Sequence, residues 1–190
     1  MNTDQCWEII EAARADVNLD GDTGSLDDLL GDALIARLTR LSLPEIVAFE
    51  VRFARLRGRV ADLDGIHRVC RLLTTGVGDD GFTDFCAGLV GLGRHWYDLV
   101  VADPDNLADH PAVRRMAAGA LHEYALLAED FQYAAYRAYE QLTGSEDELW
   151  QETDRMWELL PDDRDPAPAS ADVRLPRLET LFTEGNAAPS

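Results

Sequence analysis

The sharpest chemical signal in the sequence is a pair of adjacent carboxylates, Asp79 and Asp80, which follows the glycine turn Gly76-Val77-Gly78. Two acids at the start of a helix can bind a cation or serve as general base. They can equally cap the helix and complement its dipole. Arg94, at the far end of the same predicted helix, can clamp a carboxylate with its planar guanidinium or pair with an acidic side chain. Asp64-x-x-His67 places both groups on one helical face with Cys70 a turn further on, the spacing of a His–Cys dyad or half a metal site. Asp79, Asp80, His67 and Arg94 are therefore the catalytic candidates. Tyr124, Tyr133, Tyr136 and Tyr139 crowd a later segment, with Glu129, Asp130 and Gln132 among them. That spacing reads either as core or as a polar-lined pocket between helices. Arg94, Tyr133, Tyr136 and Glu129 are the ligand-binding candidates.

Other chemistries fail on spacing. A di-iron bundle needs paired Glu-x-x-His motifs, and none of His67, His95, His110 or His122 has a glutamate three residues before it. His122-Glu123 begins like a zincin motif, but Leu126 stands where the second histidine belongs. Asn18-x-Asp20-x-Asp22 resembles a calcium loop without its sixth-position glycine or its twelfth-position glutamate. The chain contains no lysine, its 17 basic residues all being arginine. That excludes Schiff-base chemistry, pyridoxal phosphate attachment and a P-loop. No metal and no cofactor is expected. Cys6, Cys70 and Cys86 are too scattered for a disulfide framework and read as reduced core thiols.

A net charge of −19 over 190 residues would repel a phosphate backbone or an anionic membrane surface. No apolar run approaches the roughly 20 residues of a membrane span. The first residues have neither a basic region nor an apolar core, so a cytoplasmic protein is expected.

The elements that position these groups are all helical. Thr3 caps a helix from about Asp4 to Val17, and Asn18 to Gly24 is a polar loop. Ser25 opens a second helix to about Leu41. Ser42-Leu43-Pro44-Glu45 is a capping box with proline in the first turn. It starts a third helix that weakens at Gly58. A fourth spans about Leu63 to Thr74. A long helix from Asp80 to Val101 buries Phe82, Phe85, Cys86, Leu89, Gly93 and Trp96 along one stripe, while Gly88 and Gly91 let another backbone come close. A longer one, from Pro111 to Leu142, turns Leu121, Tyr124, Leu127 or Ala128, Phe131, Ala135, Ala138 and Leu142 inward. Ser145-x-x-Glu148 starts a helix carrying Trp150 and Trp157. The expected fold is an all-α, single-domain irregular bundle of about seven helices. Residues 1–160 form the body, 161–172 a flexible acidic proline-rich linker, 173–183 a segment that docks back through Leu175, Leu178, Leu181 and Phe182, and 184–190 a disordered tail.

Several of these stretches together resemble a known family. They are Cys6-Trp7-Glu8-Ile9-Ile10-Glu11-Ala12-Ala13, Leu41 to Phe49, Asp79-Asp80-Gly81-Phe82-x-x-Phe85, Gly93-Arg94, Ala102-Asp103-Pro104-Asp105-x-Leu107, Tyr133 to Tyr139 and Leu175-Pro176-Arg177-Leu178. The chain resembles a bacterial domain of unknown function, number 4240, common in actinobacteria. The resemblance implies a small helical cytoplasmic protein and carries no activity with it. One departure is clear. The aromatic-rich stretch that precedes the long helix in the family has lost its tryptophans here, and Val77 stands in place of its cysteine.

Two functional classes follow. The first is a non-catalytic binding or regulatory protein with a protein or small-molecule partner, favoured by the charge and the missing catalytic motifs. The second is a small metal-independent enzyme, in specialised metabolism, that gathers Asp79, Asp80, Arg94 and His67 around a pocket. Convergence of those four on a concave site would favour the enzyme. Their separation, with exposed apolar patches, would favour the binder.

Overall fold

The computed structural model describes residues 1–17, 26–159 and 173–185. The expected polar loop 18–24, the Ser25 cap, the linker 161–172 and the tail from residue 186 onward lie outside the described residues. Within them the chain is all-helical and has no strand. The elements are α1 (Thr3–Asp16), α2 (Leu26–Leu38), α3 (Leu43–Ala61), α4 (Ile66–Leu73), α5 (Asp79–Gly91), α6 (Arg94–Ala102), a 3-10 helix (Pro104–Asp109), α7 (Pro111–Ala117), α8 (Glu129–Gln132), α9 (Ala134–Thr143), α10 (Asp147–Leu159) and α11 (Pro176–Gly185).

Local chemistry sets several of the helix starts. At α3 the Glu45 carboxylate accepts from both the backbone N–H (2.8 Å) and the hydroxyl (2.6 Å) of Ser42, with Pro44 in the first turn. The α3 helix runs through Gly58 to Ala61 rather than weakening there. At α1 the cap is Asn2, one residue before the expected Thr3. Its side chain accepts from Gln5 N–H (2.8 Å), while the Gln5 side chain accepts from Asn2 N–H (2.9 Å).

The count exceeds seven because both long predicted helices are broken, each for a tertiary reason. The first stops at Gly91, and Gly93 takes φ +93° before α6 begins. Only glycine tolerates that backbone cheaply, and a Cβ there would stand 2.7 Å from Arg14 Nε and 2.8 Å from Glu11 Oε1. The break lets α1 reach both new helix ends. Glu11 accepts the Arg94 N–H at 2.6 Å, and the Arg14 guanidinium donates to the Gly91 carbonyl. The turn also re-aims the aromatic stripe. Phe85, Cys86 and Leu89 are fully buried and Phe82 is half-buried, but Tyr97 rather than Trp96 fills the core position on α6.

The second predicted helix unwinds between α7 and α8, where the chain crosses the back of α5. A Cβ on Gly88 would lie 1.9 Å from the Leu126 carbonyl oxygen, and the Ala128 N–H donates to the Asp84 carbonyl (3.2 Å). Gly88 thus admits another backbone, as its missing side chain suggested. Leu126 and Ala128 turn inward, whereas Tyr124 and Leu142, both expected in the core, are 41% and 48% exposed.

At the centre, Phe49 and Phe53 of α3 stack at 6.1 Å, and Phe53 meets Phe131 edge-on at 5.3 Å. Leu30, Leu34 and Leu38 of α2 and Phe85 and Leu89 of α5 complete this layer without solvent exposure. Each contributes roughly 1.5–3 kcal/mol by leaving water. The C-terminal α11 places Leu175 and Leu178 in the same core, and Val173 packs over Gly65.

Candidate functional site

Asp79 and Asp80 occupy the first turn of α5 and are exposed. The N-cap itself is Gly78, which has no side chain to close the end. The two acids therefore act on the helix through its dipole rather than as caps. His67 is exposed on α4, its ring stacked on Phe82 of α5 at 3.6 Å and 14°. Cys70 does not form a dyad with it: the thiol contacts Thr74 Oγ1 at 3.6 Å, and burial pushes its pKa up. Burial likewise pushes Cys86 up to about 12. Both thiols are kept out of their nucleophilic form.

Arg94 opens α6, beyond the opposite end of α5, whose axis rises about 18 Å from Asp79 to Gly91 at 1.5 Å per residue. It pairs with Asp4 at 2.8 Å and approaches Asp98 at 3.9 Å. Its work is to tie α1 to α6. The four catalytic candidates do not share a site. A cleft of about 280 Å³ lies elsewhere, lined by Leu63, Asp64, Val101, Asp103, Pro104 and Arg174 among others, and none of the four enters it. Among the described residues no three His, Cys, Asp or Glu side chains are grouped to hold a metal ion.

The Gly76-Val77-Gly78-Asp79-Asp80-Gly81 segment also spells G-x-G-x-x-G. It joins α4 to α5 with no strand before it among the described residues, and its two acids oppose a pyrophosphate. The dinucleotide-binding context is therefore missing.

The ligand-binding candidates divide. Glu129 is exposed at the start of α8. With Asp27 and Asp80 it adds to partial burial in raising Asp84 to about 6, against the opposing charge of Arg57. Tyr133 and Tyr136 do belong together. Their rings lie 6.1 Å apart at 68°, and Tyr136 meets Trp150 of α10 at 4.6 Å and 43°. Tyr136 is the buried member of the three at 5% exposure; Tyr133 (38%) and Trp150 (53%) stand out to solvent.

Two layers of acid surround this triad. Behind it is Glu50 of α3, 4% exposed, with Oε2 unpartnered. Desolvation lifts its carboxyl to about 7, partly offset by Arg57. Burial and then the Glu50 charge push the Tyr136 phenol up, with smaller contributions from Tyr133 and Asp154, so the buried member of the triad is a neutral phenol. Gln132, one turn before Tyr136, is also buried with Oε1 unpartnered. In front, Asp147, Asp154 and Glu158 are exposed along the same side of α10 as Trp150 and Trp157. Two turns along that helix, Trp157 already holds a cation: the Arg55 guanidinium sits 5.0 Å from the ring and donates to the Trp157 carbonyl at 2.8 Å.

Glu50, Trp150 and Asp154 were not among the candidates read from sequence, although signals existed. Glu50 is an acid on the apolar stripe of Ile46, Phe49 and Phe53. Trp150 and Trp157 repeat at i, i+7 beside, not on, the inward stripe of Leu149 and Met156.

The family described as Protein of unknown function (DUF4240) matches residues 1–141. No curated protein and no solved structure matches the chain. The match takes in α1 to α8 and the tyrosines of α9, while α10 and α11 lie beyond it. With its Asp-Asp-Gly-Phe helix start, Gly93-Arg94 break and tyrosine-bearing α9 inside the matched span, the chain belongs to the DUF4240 family.

Proposed function

We propose that the protein is a non-catalytic binding or regulatory protein of the bacterial cytoplasm, and that it engages a cationic segment of a protein partner through the outer face of α9 and α10. One observation carries this reading: Tyr133, Trp150 and Trp157 are exposed indole and phenol rings on a surface lined by carboxylates. Large aromatic side chains are costly to leave in water and are enriched where proteins meet. The carboxylates beside them select for positive charge and speed encounter with it. Arg55 lies over the Trp157 ring within the chain, and an arginine from a partner would be attracted to an exposed ring by the same interaction.

The separation of Asp79, Asp80 and His67 from Arg94 favours binding over catalysis. The buried cysteines, which form no disulfide with one another, support a reducing compartment, and no helix among the described residues is long and apolar enough to cross a membrane. The test is calorimetric titration of the full chain with an arginine-rich peptide and with a glutamate-rich peptide of equal length. The arginine peptide should bind, weaken with added salt, and weaken further for Trp150→Leu. Equal behaviour of the two peptides would refute the proposal.

A further inference from the structure

We infer that Tyr133, Tyr136 and Trp150 form a recognition site for a methylated ammonium group. This rests on the cation-binding reading of the α9–α10 face and names the cation. The three rings touch in sequence, at 6.1 Å and 4.6 Å, and meet at 68° and 43°. Their faces therefore point in different directions, and no two lie parallel. A positive charge near several ring faces is attracted by each quadrupole, and the attraction grows as water is excluded. Tyr136 supplies the water-excluded member, since it is 5% exposed.

The surrounding charge strengthens the same preference. Glu50 is buried behind Tyr136, and Asp154 acts on the phenol from α10. Asp154 places negative potential at the rings, and Glu50 adds to it as it ionises above about pH 7. Glu50, at 4% exposure, is closed to direct contact from outside. That distinguishes the triad from Trp157, where Arg55 finds a ring and a carbonyl acceptor together. A guanidinium or a bare ammonium gives up hydrogen bonds to water and needs acceptors in return. A methylated ammonium has few or no N–H groups to satisfy and spreads its charge over methyls that pack on ring faces. At the rings themselves the contact is with ring faces, which suits the methylated cation best, while the exposed carboxylates of α10 draw positive charge toward them from solvent.

The experiment compares choline with 3,3-dimethylbutan-1-ol, its uncharged isostere, by titrating the full chain and following the tryptophan indole N–H signals by NMR. Choline should bind roughly twofold to thirtyfold more tightly, with the Trp150 signal moving most. Trp150→Leu should abolish that preference and Trp150→Phe should retain part of it. Trp150 is more than half exposed, so both variants should fold, which circular dichroism checks. Equal affinity for the two compounds, or an unchanged preference in Trp150→Leu, would overturn the assignment. A second arm uses a basic peptide with trimethyllysine and the same peptide with lysine. Tighter binding of the methylated peptide points to a protein-borne group, and a choline preference without it points to a small-molecule source. Arginine-peptide binding without any preference for choline over its isostere would overturn this assignment and leave the proposed function standing; loss of both would overturn both.

Discussion

The Asp105 carboxylate caps the helix that starts next to Leu178: its Oδ1 accepts the Leu178 N–H at 3.0 Å, while its Oδ2 accepts the Arg177 N–H at 3.1 Å. Asp105 is 4% exposed, so the 3-10 helix supplies α11 with a buried cap from 73 residues away. Arg177 adds a hydrogen bond to Asn106 (3.3 Å) and an ion pair to Asp109, and Arg68 pairs with Glu179. Replacing Asp105 by alanine leaves two N–H groups unpaired in a buried setting and should cost about 1–3 kcal/mol. Hydrogen exchange at residues 176–185 should accelerate by roughly fivefold to 150-fold, and more than in the rest of the chain. Uniform acceleration everywhere would show that α11 does not open as a separate unit.

Gly88→Ala sets two effects against each other. Alanine in a helix interior is favoured over glycine by about 1 kcal/mol. The added Cβ, however, would sit 1.9 Å from the Leu126 carbonyl oxygen, a backbone atom that cannot swing aside. Overpacking typically costs about 1–3 kcal/mol, and a contact this short belongs at the upper end, so the variant should be destabilised. Urea denaturation with a lower midpoint and an unchanged slope is the expected result.

Glu50 should make stability depend on pH. Its carboxyl moves from an ordinary value of 4.5 to about 7 in the folded chain, so the folded state holds this proton more tightly than the unfolded one. Stability from this group is therefore gained as pH falls from above 7 toward 4.5. Ionised Glu50 at high pH costs on the order of 3 kcal/mol. Glu50→Gln should raise the melting temperature at pH 8 and flatten the curve between pH 5 and 8. Asp84, raised to about 6, contributes a smaller slope of the same sign that remains in the variant.

His110 should act in the opposite direction. Its Nδ1 accepts the Ala112 N–H at 3.2 Å, and its ring meets Trp96 edge-on at 4.6 Å. Burial, then the charge of Arg14, pulls its pKa from 6.5 down to about 4. A depressed base is protonated more readily in the unfolded chain, so its stabilising contribution is complete above pH 6.5 and is lost as pH falls toward 4. NMR titration of the imidazole should show a midpoint more than one unit below 6.5. His110→Ala should lower stability at pH 7 by more than at pH 4.5.

What the sequence by itself determined is the helical class, the Ser42–Glu45 cap of α3, and membership of the family. Ser42 with Glu45 and the buried run Phe85, Cys86, Leu89 depend on neighbours three or four residues away, and such neighbours are visible in the string. The tertiary structure decided the rest. Gly93 ends a helix because Glu11 and Arg14 of α1 bond to the groups it frees. Residues 118–128 leave the helix because Leu126 must pass over Gly88. Asp79 and Arg94, which looked like ends of one catalytic helix, are held apart by that helix's length. Trp150 meets Tyr136 only because α10 folds back along α3, and Glu50 is shut behind Tyr136 by the same packing. Contacts between residues far apart in the chain set which groups lose water, and the loss of water sets both their charge state and what they can bind.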